Sequence, residues 1–244
     1  MLDTAVAAIR SVLAYVGMIT YIAIAAPLAI VFGVLFRWKR GMYLLGHGGV
    51  WLGLTLVGIR YRVSGLEQVP DRSVVFCSNH ESNVDPPVLF EALHPQLHIL
   101  YKAELHNFPL MGTVFDVGGF VAVDRNDREK AMASIADGAR SLRAGNSFLI
   151  FPEGTRSRTG ELLPFKKGGF IMAIEAQAPI VPVAVRGGRD AMRKGSRIVR
   201  PVHVSIRVGR PIPTAGMTLA DRDLLIDRVR IEVQTLLDEG PVWT

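Results

Sequence analysis

The sequence has very little cysteine: a single residue, Cys77, in 244. A lone cysteine excludes a disulfide framework within the chain, and its place in the apolar run of residues 73–77 favours a buried, inert thiol. The six histidines show no metal-ligand spacing. His94 and His98 have the i, i+4 spacing of a helical pair, but Pro95 between them argues against one regular helix. We therefore expect neither a metal centre nor a bound cofactor.

Signatures of nucleic-acid binding are also missing, although the chain is basic, with a formal net charge of +6. Such a charge implies an anionic partner. No zinc-finger, RNP or helix-turn-helix pattern is present, and the strongly apolar N-terminus is atypical of a nucleic-acid binder. These observations leave a phosphate-bearing substrate or an anionic membrane surface as the expected partner, and we expect no nucleic acid.

Charge is absent from a long N-terminal stretch. Residues 11–36 form an uncharged run of 26 residues, long enough as a helix to cross a bilayer core of about 30 Å. A basic link follows at residues 37–40, and then a second uncharged, glycine-rich stretch at residues 41–59. The pattern predicts a two-helix membrane anchor over residues 1–60, in a protein associated with the cytoplasmic face of the inner or plasma membrane.

Two other interpretations of this N-terminus remain open. The glycines of the second stretch favour a monotopic anchor, with both helices partly buried in one leaflet. A cleaved signal peptide is the third possibility, because residues 23–25 resemble a cleavage site. Against it, the apolar run continues well beyond that site, and Asp3 weakens the positive charge that precedes such a signal.

From residue 61 onward the pattern changes to short β-branched runs alternating with amphipathic segments. Asn126 and Glu129 form a potential capping box at the start of one predicted helix, a second helix covers residues 168–177, and a third begins near Thr218. Strands alternating with helices predict one α/β domain over residues 61–244, a mixed sheet flanked by helices. The predicted strands cover residues 61–63, 73–77, 97–101, 119–123, 147–151, 180–185 and 202–208.

The segment that follows the second predicted strand carries the first candidate site. His80 and Asp85 lie on the loop between that strand and a helix that can begin at Pro86. An imidazole that donates one N–H to a carboxylate and turns its other nitrogen to a substrate forms the base-and-orienter half of a catalytic triad. The alternative is structural, because an Asp directly before a Pro is a good helix N-cap.

A second candidate site is the turn FPEGTRS at residues 151–157, which follows another apolar strand. Pro152 stops strand pairing, Gly154 permits a tight turn, and Glu153 and Arg156 are expected to project from the loop. A guanidinium in such a turn can bind a phosphate in bidentate fashion. The alternative is an ordinary turn with a solvated arginine.

Further charged residues stand at predicted strand or helix ends. Each of them could simply form a surface ion pair or belong to a solvated basic turn. A binding role is the other interpretation, because Arg125 shares a sheet edge with His80 and Arg156 if the strands run parallel. The lysines before the second helix would lie at its N-terminus, itself an anion site. The residues concerned are Lys102, Asp124, Arg125, Lys166 and Lys167.

Together these motifs resemble those of the PlsC-type glycerolipid acyltransferases, the 1-acylglycerol-3-phosphate acyltransferases. NHESNVD at residues 79–85 is similar to that family's NHxxxxD motif, and residues 119–125 are similar to its second motif, apart from a small Ala122 where a bulkier residue is usual. Residues 151–157 match its FPEGTRS motif, and the apolar residues 180–183 fit its fourth. Four motifs in family order make a stronger signal than any one alone.

The resemblance implies acyl transfer from a thioester, acyl-CoA or acyl-carrier protein, to the free hydroxyl of a lysophospholipid, 1-acylglycerol 3-phosphate. It assigns His80 as the general base and Asp85 as its orienting partner, with no enzyme nucleophile. The expected partners are thus a lysophospholipid acceptor, an acyl thioester donor and membrane lipids. The expected substrate-binding residues are Lys102, Arg125, Glu153, Gly154, Thr155, Arg156 and Lys166.

Alternatives from other classes stay open. The same His and Asp could serve a hydrolase or transacylase, the acceptor could be glycerol 3-phosphate or another lyso-lipid, or the protein could bind membranes without catalysis. Residues 186–210 carry eight basic side chains and one acid, Asp190. This segment could dock on anionic headgroups or contact the phosphates of CoA, or be a solvated basic loop.

Overall fold

The computed structural model describes residues 2–108, 110–124 and 127–243. The two uncharged stretches form helices, α1 (Leu2–Val34) and α2 (Lys39–Val57), which pack against each other. Within the described ranges, only α1 is long and apolar enough to cross a membrane. The expectation of a two-helix anchor is therefore corrected to one candidate membrane helix, because α2 is shorter and less apolar.

Seven strands form one mixed sheet over the described residues, as the alternating pattern predicted. The strand order is β1-β7-β6-β2-β5-β3-β4. Strands β2 to β6 run parallel to their neighbours within that group, β7 is antiparallel to β6, and β1 is parallel to β7. The strands are β1 (Arg60–Ser64), β2 (Val75–Ser78), β3 (Leu97–Lys102), β4 (Val121–Val123), β5 (Ser147–Ile150), β6 (Ile180–Arg186) and β7 (His203–Val208).

Six more helices connect or cover these strands in the described chain. Helix α5 is capped by Asp127, whose carboxylate accepts the backbone N–H groups of Glu129 and Lys130 at 3.0 and 3.1 Å. The predicted cap, Asn126, lies outside the described residues. The helices are α3 (Asp85–Leu93), α4 (Met111–Gly118), α5 (Arg128–Arg143), α6 (Gly168–Ala176), α7 (Gly188–Ala191) and α8 (Arg222–Asp238).

The sheet separates two hydrophobic clusters. Helices α1, α2 and α3 contribute to the cluster on one face, and α5, α6 and α8 to the cluster on the other. Tyr43 of α2 is buried, and its hydroxyl donates to the backbone carbonyl of Gly118 at the end of α4, at 3.0 Å. The N-terminal helices therefore share their core with the sheet.

The parallel strands bring the candidate motifs to one edge of the sheet. Cys77 of β2 is paired with Ile150 of β5, and Lys102 of β3 with Val123 of β4. The loops that follow these four strands consequently leave the sheet on the same side, as the argument from parallel strands anticipated. Arg125, which follows β4, lies outside the described residues.

Candidate active site

His80 lies on the loop that follows β2. Its Nδ1 is 3.0 Å from Oδ2 of Asp85, and its ring stacks on Phe151 with centroids 4.2 Å apart. The side chain is 16% exposed, and its Nε2 has no hydrogen-bond partner in the described part of the chain. One ring nitrogen is thus oriented while the other is available to a ligand, which is the geometry of a general base.

Asp85 is fully buried, and its Oδ2 also accepts the backbone N–H groups of Glu81 and Ser82, both at 2.7 Å. Asp85 is the first residue of α3, whose N-cap is Val84, without a side-chain cap hydrogen bond. The N-cap interpretation is therefore wrong: the carboxylate reaches back to the loop that carries His80. Three donors on one oxygen fix the orientation of the carboxylate beside the imidazole.

The second carboxylate oxygen of Asp85, Oδ1, has no hydrogen-bond partner among the described residues, although it is buried. Gly188, the first residue of α7, faces it, and a Cβ at that position would overlap Oδ1. The absence of a side chain at Gly188 therefore allows α7 to pack against the carboxylate.

Glu153 is 3% exposed, and both of its carboxylate oxygens accept backbone N–H groups. Oε1 accepts from His80 at 2.7 Å and Oε2 from Leu163 at 3.0 Å. Burial raises the pKa of this carboxyl, and the two hydrogen bonds oppose that effect. The expectation that Glu153 projects from its turn is wrong, because its side chain points inward and fixes the backbone of His80.

Two further contacts hold the His80 loop against neighbouring strands. The backbone N–H of Ser157 donates to the carbonyl of His80 at 2.7 Å. The side-chain amide of Asn79 exchanges two hydrogen bonds with the backbone of Val185, both 2.8 Å long, and is 1% exposed. The loop is consequently fixed to β6 on one side and to the turn after β5 on the other.

The turn after β5 leaves its basic residue available. Gly154 has a φ of +66°, which favours glycine, and a Cβ there would lie 2.8 Å from Cε of Lys166. Thr155 is exposed. Arg156 is partly buried, and within the described ranges its guanidinium has no ion-pair or hydrogen-bond partner. A partly buried, unpartnered guanidinium is a good candidate for binding a ligand anion.

Lys102 is placed differently from the other expected residues. It ends β3 at the same sheet edge, but its ammonium forms an ion pair with Glu104 at 2.8 Å, and both side chains are more than half exposed. Lys102 therefore forms a surface ion pair, which was the alternative to a substrate-binding role for this residue. Arg125 falls between the described ranges.

Glu81, which sequence reasoning did not single out, is 8% exposed and lines a polar cleft of about 420 Å³ with Arg186 and Arg189. Burial and then the nearby charge of Asp85 raise its pKa to about 7, against the opposing effect of the arginines. The sequence shows that Glu81 follows His80 directly, but only the fold shows that its side chain is buried.

An apolar cavity of about 400 Å³ adjoins the site. It lies between the N-terminal helices and α3 and α4, and Pro86, the residue after Asp85, is one of its lining residues. Its walls are almost entirely carbon, so it suits an aliphatic ligand. The lining includes Ala26, Ala29, Gly46, Pro86, Phe90 and Phe120.

The chain matches one protein-family model, described as Acyltransferase, over residues 60–186, which is slightly more than half of its length. The matched region begins at β1 and ends at β6. It therefore includes the His80 loop, the turn after β5 and the strands that bring them together.

Named relatives are identical to this chain at about a third of the aligned positions. Identity is 34% with 1-acyl-sn-glycerol-3-phosphate acyltransferase beta of Homo sapiens, over 73% of this chain and 65% of that protein. Identity is also 34% with 1-acyl-sn-glycerol-3-phosphate acyltransferase of Limnanthes douglasii, over 72% of this chain and 63% of that one. The chain thus spans slightly less than two thirds of the length of these relatives.

A solved structure shares the fold. The crystal structure of the 1-acyl-sn-glycerophosphate (LPA) acyltransferase PlsC from Thermotoga maritima superposes with a TM-score of 0.81, covering 98% of this chain and 96% of that one. The sequence identity is 21%, so this likeness concerns the fold. The fold similarity includes the N-terminal helices, which the family model does not cover.

Proposed function

This chain belongs to the acyltransferase family, and on that premise we propose that it transfers a fatty acyl group from an acyl thioester to the free hydroxyl of 1-acylglycerol 3-phosphate, giving phosphatidic acid. The observation that carries the proposal is the pair formed by His80 and Asp85, with Nδ1 held at 3.0 Å and Nε2 available. The donor is acyl-CoA or acyl-carrier protein.

In this mechanism the acceptor hydroxyl hydrogen-bonds to Nε2 of His80. As the hydroxyl oxygen attacks the thioester carbonyl, its proton moves to Nε2, and Asp85 stabilises the imidazolium through Nδ1. The tetrahedral intermediate collapses with cleavage of the C–S bond, and the imidazolium returns the proton to the departing sulfur. General-base assistance of this kind contributes roughly 10²–10⁴-fold.

Direct attack by the acceptor fits the surroundings of His80. Cys77, the single cysteine of the chain, is fully buried, and burial raises the pKa of its thiol. A buried thiol held in its neutral form is a poor nucleophile. Ser78 is also fully buried, and its hydroxyl donates to the carbonyl of Asn79. Neither side chain is placed to form an acyl-enzyme.

The acceptor's phosphate is assigned to the turn after β5. Arg156 offers an unpartnered guanidinium, and Thr155 exposes a hydroxyl beside it. Ser157 ties this turn to the carbonyl of His80 at 2.7 Å, so a phosphate bound here would hold the acceptor at a fixed distance from the base. Glu153 serves this site by positioning His80, since its carboxylate is already fully engaged.

The apolar cavity supports a lipid substrate. Pro86, the residue after Asp85, lines this cavity, and a volume of about 400 Å³ has room for part of an acyl chain. Helix α1 also exposes a strongly apolar surface that would be costly in water. Its most exposed apolar residues include Ile9, Val12, Leu13, Val16, Ile19 and Ile24.

The contacts of α1 with the α/β domain favour a monotopic attachment to the membrane. Near its start, Ser11 accepts the backbone N–H of Val199 at 2.8 Å, and near its end Gly33 packs against Val117 of α4. These contacts are 22 residues apart, about 33 Å along a helix. A spanning α1 would carry the α/β domain into the bilayer, so we propose that α1 lies in the interface with its apolar side toward lipid.

An acceptor panel tests the proposed function. The purified protein is incubated with an acyl-CoA, and release of the free CoA thiol is measured with and without each acceptor. The acceptors compared are 1-acylglycerol 3-phosphate, glycerol 3-phosphate and an unphosphorylated 1-acylglycerol. We expect the phosphorylated lyso-lipid to be the best acceptor and His80→Ala to lower kcat by roughly 10²–10⁴-fold. Thiol release that is independent of acceptor would instead indicate a hydrolase.

Arg156→Ala completes this test. We expect it to raise KM for phosphorylated acceptors about tenfold or more, because a charge-assisted hydrogen bond contributes roughly 1.5–3 kcal/mol. Its effect on the unphosphorylated acceptor should be small. Equal losses on both acceptors would show that Arg156 does not bind the phosphate, and full activity of His80→Ala would refute the base mechanism.

A further inference from the structure

Lys194 contacts the turn that follows β5, although it lies 38 residues beyond it in sequence. Its ammonium donates to Oγ1 of Thr155 at 3.0 Å and to the backbone carbonyl of Arg156 at 3.1 Å. An ammonium has three N–H donors, so one remains after these two contacts. The side chain is exposed, and that third donor is available to a ligand at the turn.

The segment that carries Lys194 is held at both ends. Just after α7, the carbonyl of Met192 accepts a hydrogen bond from the hydroxyl of Ser82, on the His80 loop, at 2.8 Å. At the other end, Val199 exchanges hydrogen bonds with Ser11 of α1. Lys194 is therefore presented from a braced segment, which reduces the entropy lost when its ammonium binds a ligand.

The charge of the expected ligand requires more than Arg156. A phosphate monoester carries about 1.5 to 2 negative charges near neutral pH. The carboxylate in the turn, Glu153, is buried and directed toward the backbone of His80 and Leu163. On one flank of the turn Lys166 passes over Gly154, and on the other Lys194 contacts Thr155 and Arg156. The two lysines would bring further positive charge to the phosphate.

We infer that Lys194 is a specificity-determining residue, which donates its third N–H to the phosphate of the acceptor while fixing the backbone of Arg156. This inference rests on the proposed function. It extends the binding site beyond the four sequence motifs to a residue in the basic segment between α7 and β7. The same contact would favour phosphorylated acceptors over uncharged ones.

Binding and kinetics of matched variants test this inference. Lys194→Met removes the charge but keeps an unbranched side chain, Lys194→Arg keeps the charge, and Arg197→Met removes a charge from the same segment. In the structure Arg197 is an exposed residue whose backbone carbonyl accepts the hydroxyl of Tyr15 at 2.8 Å. Binding of 1-acylglycerol 3-phosphate and of 1-acylglycerol to the full-length protein in detergent is measured calorimetrically, followed by KM and kcat.

We expect Lys194→Met to weaken binding of the phosphorylated acceptor and raise its KM by about tenfold, with a much smaller change in kcat and in binding of the uncharged acceptor. Lys194→Arg should recover most of the loss, and Arg197→Met should behave as wild type. Equal losses in Lys194→Met and Arg197→Met would assign the effect to attraction of an anionic lipid surface and overturn the inference.

The outcome separates this inference from the proposed function. Wild-type protein that binds the phosphorylated acceptor through Lys194 but does not acylate it would refute the acyltransferase proposal and support the role of Lys194. Acylation by the wild type, together with a Lys194→Met variant that still prefers phosphorylated acceptors as strongly as the wild type does, would support the acyltransferase proposal and refute the role of Lys194. A kcat loss that is equal on both acceptors, with KM unchanged, would make Lys194 a structural residue and also overturn the inference.

Discussion

The backbone N–H of His80 donates to Oε1 of Glu153 at 2.7 Å, so a residue of one sequence motif fixes the main chain of another. The second oxygen of Glu153 accepts from Leu163 at 3.0 Å. The buried carboxylate therefore joins its own turn and the nearby Leu163 to the His80 loop, which lies 73 residues earlier in the sequence. Its contribution to activity should come through the position of His80 and not through contact with substrate.

This relationship predicts that Glu153→Gln lowers both stability and kcat. The amide keeps one acceptor oxygen but turns an NH₂ group toward a backbone N–H, which leaves a buried donor unpaired at a cost of roughly 1–3 kcal/mol. Thermal unfolding in detergent and acceptor kinetics measure the two effects. The exposed Glu161→Gln is the control. A selective rise in KM for phosphorylated acceptors would instead place Glu153 in contact with the phosphate.

A second prediction concerns Gly188, which does not belong to the expected site. A Cβ there would overlap Oδ1 of Asp85, so Gly188→Ala should displace the carboxylate from Nδ1 of His80. Because misplacement of about 1 Å can cost up to 10²-fold, we expect kcat to fall roughly 10-fold to 100-fold with KM for the acceptor little changed. Wild-type kcat in a folded Gly188→Ala protein would contradict this role.

The apolar cavity predicts a chain-length effect. Ala29 lines it, whereas the preceding residue, Leu28, is 46% exposed on the outer side of α1. Ala29→Phe should fill part of the cavity and shift the preference toward shorter acyl chains by about tenfold in kcat/KM, an overpacking cost of 1–3 kcal/mol. Panels of acyl-CoA donors and of lyso-lipid acceptors identify which chain is affected. Leu28→Phe is the matched control, and unchanged preferences in Ala29→Phe on both panels would exclude the cavity as an acyl site.

The attachment of α1 predicts a labelling pattern. Cys77 is fully buried, so single cysteines introduced by Thr4→Cys and by Arg40→Cys, both at exposed positions, can be labelled against a low background. Protein bound to the outside of sealed vesicles should react at both sites with a membrane-impermeant maleimide, because both ends of α1 stay on one side. Protection of one site only would show that α1 crosses the bilayer.

Glu81 predicts a pH-dependent difference in stability. Its pKa is raised to about 7 in the folded protein from an ordinary value near 4.5, mainly by burial and then by Asp85. The stabilisation associated with its proton is therefore complete below pH 4.5 and is lost as the pH rises through 7. Relative to Glu81→Gln, the wild type should lose on the order of 1 kcal/mol per pH unit in this window.

Thermal unfolding of the wild type and Glu81→Gln between pH 4.5 and 8 measures this difference. The comparison removes the contribution of groups that titrate equally in both proteins. Arg186 and Arg189 lie close enough to oppose the rise in pKa. A difference in stability that stays constant across the range would mean that Glu81 remains ionised throughout.

The sequence by itself determined which segments become strands and where the candidate site lies along the chain. The β-branched runs correspond to the seven strands because a short run of β-branched and apolar residues is a local feature of the sequence. His80 and Asp85 were identifiable because they lie five residues apart in one short segment, and Arg156 because its turn has a distinctive composition. The start of the last helix near Thr218 was also a local signal, and the structure shows a capping box there, formed by Thr218 and Asp221.

Only the tertiary structure decided which way the side chains point and which distant residues meet. Glu153 was expected to project from its turn. Because the sheet order places β2 beside β5, the carboxylate of Glu153 instead turns inward and accepts the backbone N–H of His80. Asp85 reaches back to its loop because α3 begins at Asp85 itself. Lys194 and Gly188 contact the site although each lies more than 30 residues from its partner in sequence. These contacts depend on the strand order and on the packing of α7, which no local sequence pattern encodes.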